Sequence, residues 1–217
     1  MIELRAVSVK HHDIDALVDV SASIAPAAVT ALAGANGSGK STLLAVIAGV
    51  QEHRGAVLRE RSHRVAFVVQ RSAVPSTLPV TVRDVVSMGR WSERGPWRPL
   101  TRADRAIVAD STRALGLDGL EGRPLHALSG GQRQRALVAQ GLAQRADVLL
   151  LDEPTVGLDD EAQHLIGLAI AAEAERGVTV VHATHDPAVI AAADHVIRLD
   201  SGRVVSLGPV SLEPVAL

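Results

Sequence analysis

The sequence predicts an α/β fold with a parallel core sheet, an N-terminal antiparallel β layer and an inserted helical subdomain. Three observations predict this fold. A short apolar strand, a glycine-rich loop and a helical repeat of apolar residues follow one another over residues 29–48. A second apolar run, 148–151, ends in two carboxylates, as buried parallel strands do at a ligand site. Between these elements, residues 71–140 are rich in proline and then take a helical pattern, which indicates a mainly helical segment inserted between core strands.

The glycine-rich loop satisfies the phosphate-loop pattern G-x-x-x-x-G-K-[ST] without a mismatch, which makes the fold a P-loop NTPase. Its glycines let the backbone amides approach an anion, and the following helix start adds a partial positive charge. The lysine is placed to reach the β- and γ-phosphates, and the serine hydroxyl to ligate Mg²⁺. The pattern therefore predicts a nucleoside triphosphate and Mg²⁺ bound by Gly34, Ala35, Asn36, Gly37, Ser38, Gly39, Lys40, Ser41 and Thr42.

Composition limits the possible domain organisation and partners of the chain. A chain of 217 residues with 47% hydrophobic residues is expected to form a single domain, 1–217, with a sizeable core. The net charge of -2 and the low aromatic content (1%) argue against nucleic acid as a partner. There is no cysteine, no apolar signal region and no run of 18 apolar residues, so we expect any membrane contact to come from another chain.

The N-terminal segment indicates strands. Residues 2–9 alternate and then shift phase, which predicts a strand with a bulge, and strand character resumes at residues 17–20. The polar residues 11–15 between them are interpreted as a loop. The pattern predicts an antiparallel layer beside the core.

The carboxylates that end the second apolar run are candidates for chemistry. Ligands of parallel sheets bind outside the carboxyl ends of the strands. Asp152 is expected to hold Mg²⁺, and Glu153 to orient and deprotonate the attacking water. An ordinary acidic strand end is the alternative, which the phosphate loop makes less favoured.

A second helix start also suits an anion. Ser129 is a good N-cap, and Gly130 and Gly131 leave bare amides before Gln132. An ordinary capped helix explains the same residues. The chain then has two helix starts that suit a phosphate, which favours an anion-binding role for this one over an ordinary cap.

Three polar residues near predicted strand ends are further candidates. His182 and His185 suggest a metal site, but the chain has no cysteine and no third ligand nearby, so this reading is disfavoured. His185 follows a predicted strand and is better placed to contact a γ-phosphate than to bind a metal. The alternative is that it is an ordinary exposed histidine. Gln70 ends another apolar run and is either a site residue or a simple strand end.

Taken in order, these motifs resemble the ATP-binding subunits of ABC transporters across nearly the whole chain; the pentapeptide 128–132 is the most specific of them. The resemblance implies a head-to-tail homodimer that sandwiches ATP between the phosphate loop of one subunit and Ser129, Gly130, Gly131 and Gln132 of the other. It assigns catalysis to Glu153, His185 and Lys40. It assigns Mg²⁺ to Ser41, Gln70 and Asp152, and the dimer contact to Asp159.

The chain departs from this family at two places. The aromatic residue that stacks on adenine would fall at about His11, and the chain has no tyrosine, so His11 or His12 is expected to stack or the stacking is weak. The usual Gly-Glu after the proline is Ala27-Ala28 here, which puts that turn in doubt.

The segment 70–91 resembles the corresponding part of importers for manganese, zinc and related metals. This implies peripheral attachment to the cytoplasmic face of the cell membrane, through integral permease subunits served indirectly by an extracytoplasmic substrate-binding protein. Ferric-siderophore and cobalamin importers are the near alternative. A soluble regulatory or ribosome-associated ATPase and an ATP-binding module without turnover are the alternatives of other classes.

Overall fold

The structure, a computed structural model, describes residues 1–60, 62–69 and 79–209. The strands are β1 (Ile2–His11), β2 (Ile14–Ile24), β3 (Val29–Ala33), β4 (Arg54–Leu58), β5 (Val65–Val68), β6 (Val148–Asp152), β7 (Thr179–Thr184), β8 (His195–Asp200) and β9 (Arg203–Pro209). The helices are α1 (Lys40–Ala48), α2 (Val82–Met88), α3 (Trp91–Arg94), α4 (Arg102–Ala114), α5 (Gly130–Ala143), α6 (Asp160–Glu175) and α7 (Pro187–Ala191), and a 3₁₀ turn covers Leu125–Ala127.

Over the described ranges the strands form two sheets. The larger sheet has the order β5-β6-β7-β3-β8-β9, and its strands run parallel except for β9, which is antiparallel to β8. The smaller sheet has the order β2-β1-β4 and is antiparallel. The central strands β6 and β7 are buried along their whole length, as expected for parallel strands covered on both faces. The predicted parallel core sheet and N-terminal antiparallel layer are confirmed.

The β1–β2 hairpin differs from its predicted form. The polar residues 11–15 were expected to be a loop, but the strands extend to His11 and resume at Ile14, which leaves a turn of two residues. His12 takes a left-handed φ of 53°, as tight hairpin turns require. The phase shift predicts the strand irregularity correctly, because the β1–β2 register shifts between Leu4 and Val7.

Helices α2 to α5 follow β5 and precede β6, and three of them begin with a reciprocal cap. Thr81 and Asp84 form the capping box of α2, Thr101 and Asp104 that of α4, and Ser129 and Gln132 that of α5. The N-terminal cap predicted for Ser129 is therefore confirmed. The assignment of 71–140 to one subdomain of the single domain 1–217 stays a prediction, because residues 71–78 lie outside the described ranges.

Apolar residues fill the space on both faces of the larger sheet. One cluster joins the sheet to α2, α4, α5 and α6, and a second joins it to α1 and the smaller sheet. Helix α5 approaches β5 closely at Gly141, where a Cβ atom would lie 2.4 Å from Val68 Cγ2. The sheet is thus held rigidly between two layers, which fixes where its strand ends lie.

A buried ion pair holds two helices of the helical segment together. The guanidinium of Arg90 is buried and donates from Nε to Asp104 Oδ1 at 3.0 Å, and from Nη1 to the Ala143 carbonyl at 2.8 Å. It thereby links α4 to the end of α5.

No helix within the described ranges is long and apolar enough to cross a membrane.

Candidate nucleotide-binding site

Three neighbouring strands deliver the predicted site residues to one edge of the larger sheet. Strand β7 lies between β6 and β3, with Asp152 opposite Ala183 and Ala33 opposite Thr184. Since the strands are parallel, the residues that follow them leave the sheet at the same edge. The phosphate loop after β3, Glu153 after β6 and His185 after β7 therefore meet there, as predicted.

The phosphate loop needs glycine where it passes close to other chain segments. Gly39 has a φ of 102°, and a Cβ atom on it would lie 2.7 Å from the Ala16 carbonyl oxygen. A Cβ on Gly34 would lie 2.4 Å from the Leu199 carbonyl oxygen. Gly39 is also the N-cap of α1 and makes no side-chain cap, so the first amides of this helix are available to an anion.

Lys40 is folded back onto its own loop. Its Nζ donates to the carbonyl oxygens of Gly34 at 2.8 Å and Ala35 at 3.0 Å, and lies 3.4 Å from Glu153 Oε1. The side chain is only 4% exposed. A buried ammonium held by two neutral carbonyls and one carboxylate is a strong candidate to bind an anion in the loop.

Ser41 and Asp152 join the loop to the end of β6. The Ser41 hydroxyl donates to Asp152 Oδ1 at 3.0 Å, although the two residues are 111 positions apart. Burial raises the pKa of Asp152, and the neighbouring Glu153 charge acts in the same direction. A hydroxyl and a carboxylate side by side are the oxygen ligands that Mg²⁺ prefers, and a cation would relieve the cost of burying the carboxylate, so these residues fit the ion.

Glu153 lies at the turn that ends β6. Its φ of 46° is left-handed, a strained conformation for a residue other than glycine, and its N–H donates to the Ala183 carbonyl at 3.2 Å. Its Oε1 lies 3.4 Å from Lys40 Nζ and 3.8 Å from His185 Nδ1. Its side chain is nearly buried, whereas that of His185 is half exposed. The carboxylate thus stands between a fixed cation and an imidazole.

A cavity of about 460 Å³ opens beside these residues. Glu153 and much of the phosphate loop line it, and so does His11, whose Nε2 lies 3.5 Å from Thr42 Oγ1. Three further lining residues were not predicted, because two of them fall in the stretch interpreted as a loop and the third lies between that stretch and the next strand. The short hairpin turn brings them to the cavity: they are Ile14, Asp15 and Ala16.

The second glycine-rich helix start lies elsewhere. None of residues 129–132, all of which the structure describes, lines the 460 Å³ cavity. A Cβ atom on Gly131 would instead lie 3.9 Å from Asp159 Oδ2. Asp159 itself caps α6, since its Oδ1 accepts a hydrogen bond from the Ala162 N–H at 2.8 Å. Gly130 is exposed, so this helix start is open to an approaching molecule. Its role stays a prediction.

The structure does not test the roles predicted for Gln70. This residue lies outside the described residues, so its roles stay predictions.

Within the described ranges no group of three or more His, Cys, Asp or Glu residues could hold a metal ion. His182 is instead buried at 3% exposure, and its Nε2 has no hydrogen-bond partner in the described structure.

Burial lowers the pKa of His182 to about 4, against an ordinary value of 6.5. Below pH 6.5 the unfolded chain takes up this proton and the folded chain does not, so the free energy of unfolding falls as the pH drops from 6.5 to 4. The loss reaches roughly 3 kcal/mol. We expect His182→Leu to remove it. Urea unfolding at several pH values measures the difference between the two proteins.

The exposed His164 gives the matched control, His164→Leu, which also removes one histidine. Wild type and this control are expected to lose stability in parallel on acidification, while His182→Leu loses less. Equal slopes for all three proteins would contradict a buried, neutral His182.

Comparison with known protein families identifies the class of protein. Residues 17–156 match the ABC transporter family, and this stretch covers well over half of the chain. The chain therefore belongs to the ABC transporter family as an ATP-binding subunit, and it is an ABC ATPase. The resemblance inferred from the motifs is confirmed.

Several curated relatives are similar over most of their length. The chain is 41% identical over 196 residues to the hemin import ATP-binding protein HmuV of Streptomyces coelicolor, covering 84% of this chain and 69% of the relative. It is 30% identical to the manganese transport ATP-binding protein MntB of Halalkalibacterium halodurans, covering 97% and 87%. It is 35% identical to the zinc import ATP-binding protein ZnuC of Alkalilimnicola ehrlichii, covering 96% and 77%.

Solved structures show the same fold. A metal-chelate type ABC transporter in an inward-facing conformation matches with a TM-score of 0.83 and 27% identity, over 96% of this chain and 82% of that one. The dimeric bacterial ABC transporter cassette MJ0796 matches with a TM-score of 0.83 and 27% identity, over 96% and 98%. A structure of MJ0796 bound to ADP and phosphate matches with a TM-score of 0.84 and 26% identity, over 96% of this chain and 98% of that chain.

Proposed function

We propose that this protein binds MgATP in the 460 Å³ cavity, hydrolyses it as a head-to-tail homodimer, and thereby powers a separate permease that imports a transition-metal ion or its chelate. One observation carries the proposal: Lys40, Ser41 and Glu153 line one cavity, with Asp152 hydrogen-bonded to Ser41, while the glycine-rich start of α5 does not line it. The proposed second anion-binding helix start would therefore have to meet a nucleotide held by another copy of the chain.

The charged and hydroxyl groups at this edge of the sheet have roles that follow from their positions. Lys40 would exchange the two loop carbonyls for phosphate oxygens, since a charged partner binds an ammonium more strongly than a neutral carbonyl does. Ser41 and Asp152, with Gln70 as a further candidate, would hold Mg²⁺, which neutralises phosphate charge when bound. When Lys40 moves to the phosphates, the Glu153 carboxylate loses its ion pair and becomes available to accept a proton from water.

The second subunit would complete the site. In the homodimer, the amides at Gly130 and Gly131 and the Ser129 hydroxyl of one subunit would face the γ-phosphate held by the other. Asp159 lies next to Gly131, which supports its proposed role at the same contact. His185 lies near Glu153 and half exposed, so it can contact the γ-phosphate from the sheet edge.

The relatives support a metal or metal chelate as the cargo. Those named for hemin, manganese and zinc share 30–41% identity with this chain. The resemblance of segment 70–91 favours manganese or zinc, and a hemin importer is the alternative that the 41% identity favours. Integral permease subunits would hold the protein at the cytoplasmic face of the membrane, with a substrate-binding protein on the other side.

Uptake of labelled cargo tests this function. In cells that lack this gene we expect uptake of one of manganese, zinc or haem to fall, and wild-type protein but not Glu153→Gln to restore it. Two results together would contradict the import function and favour a soluble regulatory ATPase. Uptake of all three cargoes would be unchanged by the deletion, and the tagged protein would be recovered on ribosomes instead of membranes.

A further inference from the structure

Ile14 is an apolar side chain in an otherwise polar setting. It is 74% exposed, among the most exposed large hydrophobic residues of the described structure, and it lines the same cavity as Lys40, Ser41 and Thr42. A single exposed isoleucine needs no explanation on an ordinary surface. At the rim of a nucleotide cavity it offers apolar area that a ligand can bury.

The hairpin register fixes where Ile14 lies. In the β1–β2 ladder Ile14 is paired directly with His11, and directly opposed residues of antiparallel strands project from the same face. Both residues line the cavity, and the two-residue turn keeps them at the tip of the hairpin. An imidazole and a branched aliphatic side chain thus form one surface on the cavity wall.

The base of a nucleotide needs such a surface. The phosphate loop provides amides and charges, which suit the triphosphate, whereas the flat faces of a purine are apolar and are usually covered by an aromatic side chain. The chain has no tyrosine, and its other large aromatic residues, Phe67, Trp91 and Trp97, do not line this cavity. Phe67 packs against the core instead.

We infer that Ile14 is the residue that covers the purine base, with His11 beside it. This inference rests on the proposed binding of ATP in this cavity. It moves the main base contact from the end of β1, where the family resemblance places it, to the start of β2. Ile14 is thus a positioning residue: it holds the nucleoside through apolar contact and leaves the phosphates to the loop.

Calorimetric titration of the full-length protein separates base binding from phosphate binding. The two ligands are MgATP and magnesium tripolyphosphate, which has the same phosphates but no base. We expect Ile14→Ala to weaken MgATP binding about tenfold, because three carbon groups that the base covers in part are lost, and to leave tripolyphosphate binding unchanged. In the ATPase assay the KM for ATP should rise while kcat stays the same. Ile14→Tyr should bind MgATP more tightly than wild type.

Val50 provides a matched control, since it is 72% exposed and does not line the cavity. Val50→Ala should bind both ligands as wild type does. If Ile14→Ala binds MgATP normally, or loses both ligands equally, the base contact is overturned while the proposed function stands. If wild-type protein binds neither ligand, the proposed function itself fails.

Discussion

Replacing Glu153 with glutamine is expected to reduce ATP turnover by roughly 10²–10⁴-fold, the range that a positioned general base contributes. Glutamine keeps the shape of the side chain but has no basic oxygen. The change also removes the 3.4 Å ion pair with Lys40, which leaves that ammonium free for phosphate. ATP binding should therefore persist or tighten, and the dimer should accumulate with unhydrolysed nucleotide. Steady-state phosphate release and gel filtration with MgATP measure the two effects.

Glu161→Gln is the matched control for this substitution. Glu161 is exposed in the first turn of α6 and does not line the cavity, so the control makes the same chemical change away from the site. Its turnover should match that of wild type. If Glu153→Gln hydrolyses ATP at the wild-type rate, Glu153 is not the base, and His185 becomes the first group to substitute.

The sequence predicts those parts of the site that depend on spacing along the chain. Lys40 and Ser41 follow the last glycine of the loop, so a strand, a loop and a helix suffice to place them. Asp152 and Glu153 follow an apolar run whose length and burial indicate a central parallel strand. The contact of Asp152 with Ser41, across 111 positions, then follows because parallel strands end at one edge of the sheet.

The parts that depend on register or on a second chain are not predictable in this way. Residues 11–15 are polar except for Ile14, and a polar stretch does not show whether the turn has two residues or five. The pairing of His11 with Ile14 comes from the ladder of β1 with β2, which composition does not determine. The proposed partner of the exposed Gly130 belongs to a second chain, so the fold of one chain does not place a phosphate there.

Mixing two inactive variants is expected to restore ATP hydrolysis. Lys40→Ala removes the ammonium from the phosphate loop, and Gly130→Asp puts a carboxylate at the start of α5, where it would repel the γ-phosphate of the partner's nucleotide. Aspartate is favourable at a helix N-terminus, so the second variant should fold normally. Each variant alone should lose at least about 100-fold in turnover, since each lacks or blocks a preorganised charge contact.

The mixture distinguishes a shared site from two separate ones. In a head-to-tail dimer, one phosphate loop faces one α5 start in each of two symmetric sites. A dimer of one Lys40→Ala chain and one Gly130→Asp chain has both lesions in one site and none in the other. About half of the dimers in an equal mixture are of this kind, so activity should recover to roughly a quarter of the wild-type value.

Gly130→Ala is the control, because it adds a side chain without a charge and should keep most of the activity. If the mixture stays as inactive as its components, each chain uses its own α5 start, and the head-to-tail arrangement is wrong. Since the α5 start does not line the 460 Å³ cavity of its own chain, that result would also require a large internal movement. Recovery on mixing needs no such movement, because the open helix start of one chain then meets the open cavity of the other.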